Sequence, residues 1–387
     1  MGMTGLAEHP SSLDIRNART LYPATESQAY FNTSAVGLAS RRMAASYHSF
    51  IADWTLEGLD WVRGDAAANR ARAVVAGLMG ADPADVALIA SVSAAAGLVA
   101  SQFGVAEMGQ SIVVGEREYS SNFFPWRLLA RKGYDVRLVP FRNGGVEPDD
   151  IALHVDGGTQ LVAVSAVQTA SGHRSDLAAI SGLAHAVGAV LFVDGTKCVG
   201  AMPIAAQLPL VDVLVAPDHK YLMNAGRGVG YCYLSPEMQA RFTPTNAGWR
   251  AGAEPYASFF GPTMELSETA SRFDSSISWL AAIGDEAAVS VFADIGADAI
   301  FSRNAELADT LRAALTEIGW APLDLPPANQ STIVSVPLGD TDHGRLIGGL
   351  KSRGIACSAR DGNLRMAAHF YNHEDDIRRL TTALTSH

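Results

Sequence analysis

The chain is short of lysine and cysteine, and several common catalytic signatures are missing from it. Four lysines, Lys132, Lys197, Lys220 and Lys351, occur in 387 residues, so a reaction that needs a lysine amine has few candidates. The three cysteines, Cys198, Cys232 and Cys357, lie far apart with no CxxC or Cys/His spacing. That argues against a zinc site or a disulfide framework and for a reducing compartment, and no metal is expected. GxGxxG, GxxxxGK[ST] and GxSxG are absent, which leaves dinucleotide, P-loop and serine-hydrolase readings without support. No apolar run reaches membrane-spanning length, and the opening "MGMTGLAEHPSSLD" has no basic region followed by an apolar core. A cytoplasmic protein without a signal peptide is the expectation. Positive charge is also scarce: 29 basic against 40 acidic residues leave a net charge of −11. Neither nucleic acid nor an anionic membrane is an expected partner.

What is present fits a globular enzyme, with 48% hydrophobic and 18% charged residues. The length exceeds what one hydrophobic core usually organises, so two domains are expected. From residue 86 onward, short β-rich runs alternate with helix-like segments. The runs are 86–93, 111–119, 134–141, 160–168, 189–195, 211–217 and 228–234. Apolar runs of this kind suit strands covered on both faces. Amphipathic stretches such as "NFFPWRLLARKG" and "DLAAISGLAHAVG" lie between them, each closed by glycine. The expected fold is α/β: a mostly parallel seven-stranded sheet flanked by helices, with the last two strands antiparallel, plus a small C-terminal α+β domain. The expected division is an N-terminal arm at 1–24 that packs on the small domain, a large domain at 25–265 and a small domain at 266–387. One long helical stretch is expected from about 278 to 319.

Ligands of such sheets bind at the carboxyl ends of the strands. After the first run, small residues at 91–97, among them Val92, Ser93 and Ala94, open a helix. Its N-terminus could seat a phosphate, although the same residues also make an ordinary alanine-rich helix. After the second run, Tyr119 could cover a bound ring or could equally be a packed core residue. The fifth run ends on Asp194, a carboxylate whose burial costs free energy unless something pairs with it. The sixth run leads to His219 and Lys220 and then to a glycine-rich turn. A partly desolvated lysine at such a point can form a Schiff base. Together these parts describe a seat for pyridoxal 5′-phosphate. The helix N-terminus would take the phosphate, the aromatic would lie over the ring, the acid would hold the ring nitrogen protonated, and the lysine would bind the carbonyl carbon.

The series "YFNTSAVGLASRRM", "SVSAAAG", "EREYSSNFFPW", "SGHRSDL", "VDGTKCVGAMPI", "DHKYL", "AGWR", "ETASRFDSS" and "RDGNLRMAAHFYNHEDDI" resembles the fold-type I, class V aminotransferase and cysteine desulfurase superfamily over nearly the whole chain. The resemblance implies a pyridoxal-phosphate enzyme with Lys220 as the Schiff-base lysine and Asp194 as the partner of the pyridine nitrogen. It implies Tyr119 as the stacking ring, and Ser93 and His219 as phosphate contacts. Arg365 would hold the substrate α-carboxylate, and Asn32 and Ser34 would lie on the substrate side. It further implies a homodimer in which Ser276 reaches the neighbour's phosphate. This chain departs from the pattern in several places. Lys197 stands where the family usually has a glutamine that hydrogen-bonds the cofactor's phenolic oxygen, so it is expected to set a cation beside that oxygen; Pro217 replaces a serine, and Ala166 replaces Asn or His, so that Gln168 is the candidate to take over. The loop that carries the reactive cysteine of desulfurases has no room in "GIACSARDGNLRM", and Cys357 reads as a packed apolar residue.

The expected substrate is an amino acid. The "EY..N" and "ASGHR" patterns are similar to those of C–S lyases of ergothioneine biosynthesis and of class V enzymes of lincosamide antibiotic pathways. This implies β-elimination from an S-substituted cysteine in natural-product biosynthesis. Decarboxylative formation of an aldehyde, epimerisation and transamination remain open. So do a cofactor-fold binding module without catalysis and an α/β enzyme without pyridoxal phosphate.

Overall fold

The computed structural model describes residues 13–224 and 226–386. Each of the seven expected runs forms a strand of one sheet: β2 Val86–Ile89, β3 Ser111–Gly115, β4 Asp135–Val139, β5 Thr159–Ser165, β6 Val190–Asp194, β7 Val213–Pro217 and β8 Gly230–Leu234, with a short β1 at Ala29–Tyr30 outside it. The order across the sheet is β2-β8-β7-β6-β5-β3-β4. The pairs from β7 to β4 are parallel, and β8 is antiparallel to both β7 and β2. This is the mostly parallel α/β sheet of a fold-type I enzyme. Six strands therefore point one way, and their carboxyl ends share one edge. β6 shows why the runs are continuous: each of its five residues is buried. With helices on both faces, neither face of the strand can be polar.

The helices that matter for the site are α1 (Arg41–Glu57), α2 (Trp61–Met79), α3 (Val92–Ser101), α4 (Leu177–His185), α5 (Trp279–Ile295) and α6 (Ala297–Glu317). The single helix expected over 278–319 is two, because Gly296 at φ +91° breaks it. The stretch "NFFPWRLLARKG" is likewise a five-residue helix followed by a 3-10 turn.

Beyond α6, β9 (Ile333–Pro337), β11 (Ser358–Arg360) and β12 (Asn363–Ala367) form an antiparallel sheet, and β10 (Ile355–Ala356) pairs with β1. This unit has its own core, built from Leu307, Leu311, Val334, Val336, Leu364 and Met366 among others. β11 and β12 meet in a hairpin whose two-residue turn, Asp361-Gly362, has both φ values positive. Asp-Gly is well suited to such a turn, and it leaves no space for an inserted loop.

The packing does not divide at residue 265. Ala281, Ala282, Val289 and Phe292 of α5 belong to the core under the seven-stranded sheet. Residues 1–12 of the expected arm lie outside the described residues. Of the rest, Arg19 holds Asp376 through both guanidinium nitrogens at 2.6 and 3.0 Å, and Tyr22 packs its ring on Phe370 and Tyr371. Among the described residues, no helix is long and apolar enough to cross a membrane.

Candidate active site

The shared carboxyl edge of the sheet opens into a cavity of about 350 Å³. Lys220, Asp194, Tyr119, His219, Val92 and Ser93 all line it. They come from the ends of four strands, so the sheet, not sequence proximity, assembles them. Ser91 caps α3 by accepting the Ala94 N–H at 3.2 Å, and its hydroxyl lies 3.0 Å from that of Ser93. The Val92 and Ser93 N–H groups precede any carbonyl their own helix could offer, so they face the cavity edge as free donors. Ala94 spends its own N–H on the cap.

Asp194 is buried at the end of β6, where its Oδ1 accepts the Thr196 N–H at 2.9 Å. The Lys220 amine lies over the half-exposed Tyr119 ring, 5.5 Å from its centroid. Burial lowers the proton affinity of Lys220, and the nearby Asp194 carboxylate works against that effect. The loop that presents Lys220 is tied down by Asp218. Its carboxylate accepts from Asn224 Nδ2 at 3.0 Å and from the Val229 N–H at 3.1 Å, and it lies 3.2 Å from the His219 ring. Burial pushes the Asp218 carboxyl up, against the pull of His219.

The segment Asn32–Gly37 covers the other side. Gly37 donates to the His219 carbonyl at 2.9 Å, and a Cβ at residue 37 would meet the Lys220 carbonyl at 2.5 Å. Lys197, just past β6, is buried, and its amine donates to the Ser34 carbonyl. Arg365, on β12, is buried beside these groups. It donates to the Thr169 carbonyl at 3.0 Å and to Ser358 Oγ at 3.1 Å, while its Nε has no partner among the described residues. Burial pushes its guanidinium down to about 10, which leaves it charged at neutral pH.

Gln168 and Ser276 do not join this set. The Gln168 amide donates to Glu118 Oε1 at 2.7 Å, and Glu118 also accepts from the Ser165 N–H at 2.8 Å and its hydroxyl at 2.5 Å. Gln168 lines the adjoining cavity instead. Ser276 is exposed and lies outside the lining of the cofactor cavity. Sequence reasoning missed Arg227, Thr169 and Thr196, which also line the cavity. Arg227 had a readable signal, a cation between glycines just after Lys220. Its φ of +42° turns the backbone sharply there.

A cavity built from strand ends, with a buried acid, an amine over an aromatic ring and a helix N-terminus, has the make-up of a small-molecule site in an α/β fold. The model of the class-V aminotransferase family matches residues 62–380, and the chain belongs to that family. A "Probable cysteine desulfurase" of Methanothermobacter thermautotrophicus is 28% identical over 337 residues, covering 82% of each chain. The isopenicillin N epimerase of Streptomyces clavuligerus is 28% identical over 376 residues, 91% of this chain and 93% of its own. The apo cysteine desulfurase of Thermococcus onnurineus NA1 superposes with a TM-score of 0.82 at 20% identity, covering 97% of this chain and 99% of its own.

The cofactor is pyridoxal 5′-phosphate, and the residues present fit it. Buried polar atoms without partners among the described residues include Thr196 Oγ1 in the cavity lining, and Asn32 Oδ1 and Arg365 Nε on segments next to it. Leaving such atoms unpaired costs roughly 1–3 kcal/mol each, an expense that a polar ligand removes.

Proposed function

We propose that the chain is a pyridoxal-phosphate lyase that cleaves the C–S bond of an S-substituted cysteine by β-elimination. The bound cofactor supplies an electron sink for the pair released at Cα. Lys220 would carry it, Asp194 would take its ring N–H, Tyr119 would cover its face, and Val92, Ser93 and His219 would hold its phosphate. Arg365 then clamps the substrate carboxylate through its free edge. The Lys220 amine, once released, takes the Cα proton, and sulfur leaves with the C–S electron pair. Hydrolysis of the remainder yields pyruvate and ammonia alongside the thiol.

The observation that carries the S-substituted substrate is the second cavity. It measures about 630 Å³ and shares Tyr119 and Thr169 with the first. Its size suits a substituent larger than hydrogen on sulfur. The thiols support elimination over persulfide chemistry. Cys198, Cys232 and Cys357 are all buried, and burial pushes each up to about 12, so none is a ready nucleophile.

The test is a panel of S-alkyl and S-aryl cysteines, with pyruvate, ammonia and thiol measured together. Equal amounts of all three are expected, and no thiol from any member would overturn the reading. A second reading, epimerisation at Cα, draws on the epimerase relative and on the second amine beside Lys220. It is scored in the same samples by chiral analysis of recovered substrate. A homodimer in which Ser276 reaches the partner's cavity accompanies either reading.

A further inference from the structure

The second cavity is lined by a cation, Arg360, that no step above uses. β11 and β12 pair so that Ser358 stands opposite Arg365 and Arg360 opposite Asn363, and β9 sets Ser335 opposite Arg365. Directly opposed residues share a face of a sheet, and so do residues two apart on one strand. Ser335, Ser358, Arg360, Asn363 and Arg365 therefore make one polar face, while Val334, Val336, Leu364 and Met366 turn to the core on the other side. The polar face meets the segment after β5. Ser335 Oγ donates to the Ala170 carbonyl at 2.7 Å, and Arg365 donates to the Thr169 carbonyl at 3.0 Å. Thr169 borders both cavities. The two arginines thus stand on one face, offset by two residues, or about 7 Å along the strand. The other charges lining the second cavity are mostly committed. Asp361, next to Arg360, pairs with Arg117 at 2.6 Å. Glu118 is buried and accepts from Ser165, Gln168 and Asn122. Glu116 takes the Phe141 N–H on one oxygen at 3.2 Å and has no partner for the other among the described residues. Among the same residues, the Arg360 guanidinium donates only to the carbonyl of its neighbour Ala359, at 2.9 Å.

We propose that Arg360 selects the group on sulfur: it receives a carboxylate at the far end of a short S-substituent, so that the substrates are S-(carboxyalkyl)cysteines. The inference rests on the reading of the second cavity as the seat of the S-substituent. A substrate held at Arg365 by its α-carboxylate sends that substituent past Thr169 into the second cavity, where the second guanidinium stands on the same sheet face. A substrate with an anion at each end fits two such forks, and a neutral substituent leaves one of them to water. Arg117 is a positioning residue in this arrangement. Its hold on Asp361 keeps the nearest acid from closing on Arg360.

The test measures binding to the holoenzyme by calorimetry, with α-methyl analogues that have no Cα proton to lose. S-(2-carboxyethyl)-α-methylcysteine and its S-(2-carbamoylethyl) counterpart share a shape and differ in charge. The acid is expected to bind about fivefold tighter, the upper end for an ion pair open to solvent. That preference should shrink as salt is raised to about 1 M. Arg360→Gln should bring the two ligands to equal affinity, and Arg360→Lys, which keeps the charge, should retain part of the preference. The ratio is read within each protein, so a smaller folded fraction in a variant cancels. Equal binding of the two ligands by wild type, or an undiminished ratio in Arg360→Gln, overturns the proposal. A wild-type preference for the S-(2-aminoethyl) analogue also overturns it and assigns the end group to Glu116. Turnover of the unmethylated compounds separates this inference from the reading beneath it. Thiol released from all of them without preference for the acid defeats only the role of Arg360. No thiol from any of them defeats the elimination reading, and the calorimetric ratio still decides the role of Arg360.

Discussion

The role of Arg365 can be tested without turnover. Its guanidinium already donates to Thr169 and Ser358, and its remaining Nε edge is unpaired and buried. A carboxylate that pairs with that edge gains charge-assisted hydrogen bonds worth about 1.5–3 kcal/mol each, net of exchange with water. We take about 3 kcal/mol as the net for the pair, which is roughly two orders of magnitude in affinity. The ligand pair is an S-alkyl-α-methylcysteine, which has no Cα proton to lose, and the corresponding amine without its carboxylate. Calorimetry on the holoenzyme should show the acid binding about a hundredfold tighter than the amine. Arg365→Lys should lose most of that ratio, because a lysine keeps the charge but not the fork. Arg365→Met should erase it. Equal binding of the two ligands by wild type, or an undiminished ratio in Arg365→Met, refutes the assignment and shifts attention to Arg227 or Arg360.

Two further perturbations follow from the geometry. Gly37→Ala would set a methyl 2.5 Å from the Lys220 carbonyl and 2.6 Å from the Met223 Cα, both backbone atoms. Cofactor content on purification should therefore drop severalfold while circular dichroism is retained, and full cofactor content would contradict the close approach. His369 is fully buried, and burial pushes it down to about 3, whereas an unfolded chain has it near 6.5. Between those values only the unfolded chain binds the proton, so stability falls as pH drops through this window. The loss for this one group is about 2 kcal/mol between pH 7 and 5. Urea midpoints across that range should flatten in His369→Gln by a comparable amount, and an unchanged slope would count against the burial effect. His173, also pushed down by burial, acts in the same direction and stays in place as the internal control.

The sheet was readable because two-sided burial forces its strands to be continuous apolar runs, such as Ala189–Val193, whereas a strand with one wet face would alternate polar and apolar residues. Asp194 and Lys220 were readable for a related reason, since Asp194 closes one such run and Lys220 stands three residues past the end of another. Failures came where a tertiary contact decides a residue's use. Gln168 looked available for the cofactor, but Glu118, fifty positions earlier, claims its amide. Glu118 itself drew no notice in "GEREYSSN", because a carboxylate in a loop looks solvated until Ser165 and Gln168 surround it. The break at Gly296 was a matter of weight, because a lone glycine in a helical pattern is usually tolerated and here its φ is +91°. The Asp361-Gly362 turn, by contrast, carried a strong hairpin signal on either side of which the strands fall in register.

The charge balance around the cavity accounts for a lysine pair, rather than further arginines, in this position. Lys220, Lys197 and Arg365 are largely buried close to one another, the exposed Arg227 acts on Lys220 from the cavity edge, and Asp194 is the carboxylate that opposes them there. Arginine cannot relieve such crowding, because its guanidinium keeps its proton at any ordinary pH. Lysine can, by giving up a proton, and the form it then takes is the neutral amine that attack on a carbonyl carbon demands. The repulsion that would destabilise a cavity of fixed cations therefore becomes a driving force for preparing the nucleophile. A phosphate and a carboxylate entering the same pocket would reverse part of that pressure. By raising the proton affinity of both amines, they would help Lys220 to hold the proton taken from substrate. Cofactor and substrate charges would then set the basicity of Lys220 as strongly as its burial does, so substitutions at Arg227 or Arg365 should displace its titration as well as weaken binding.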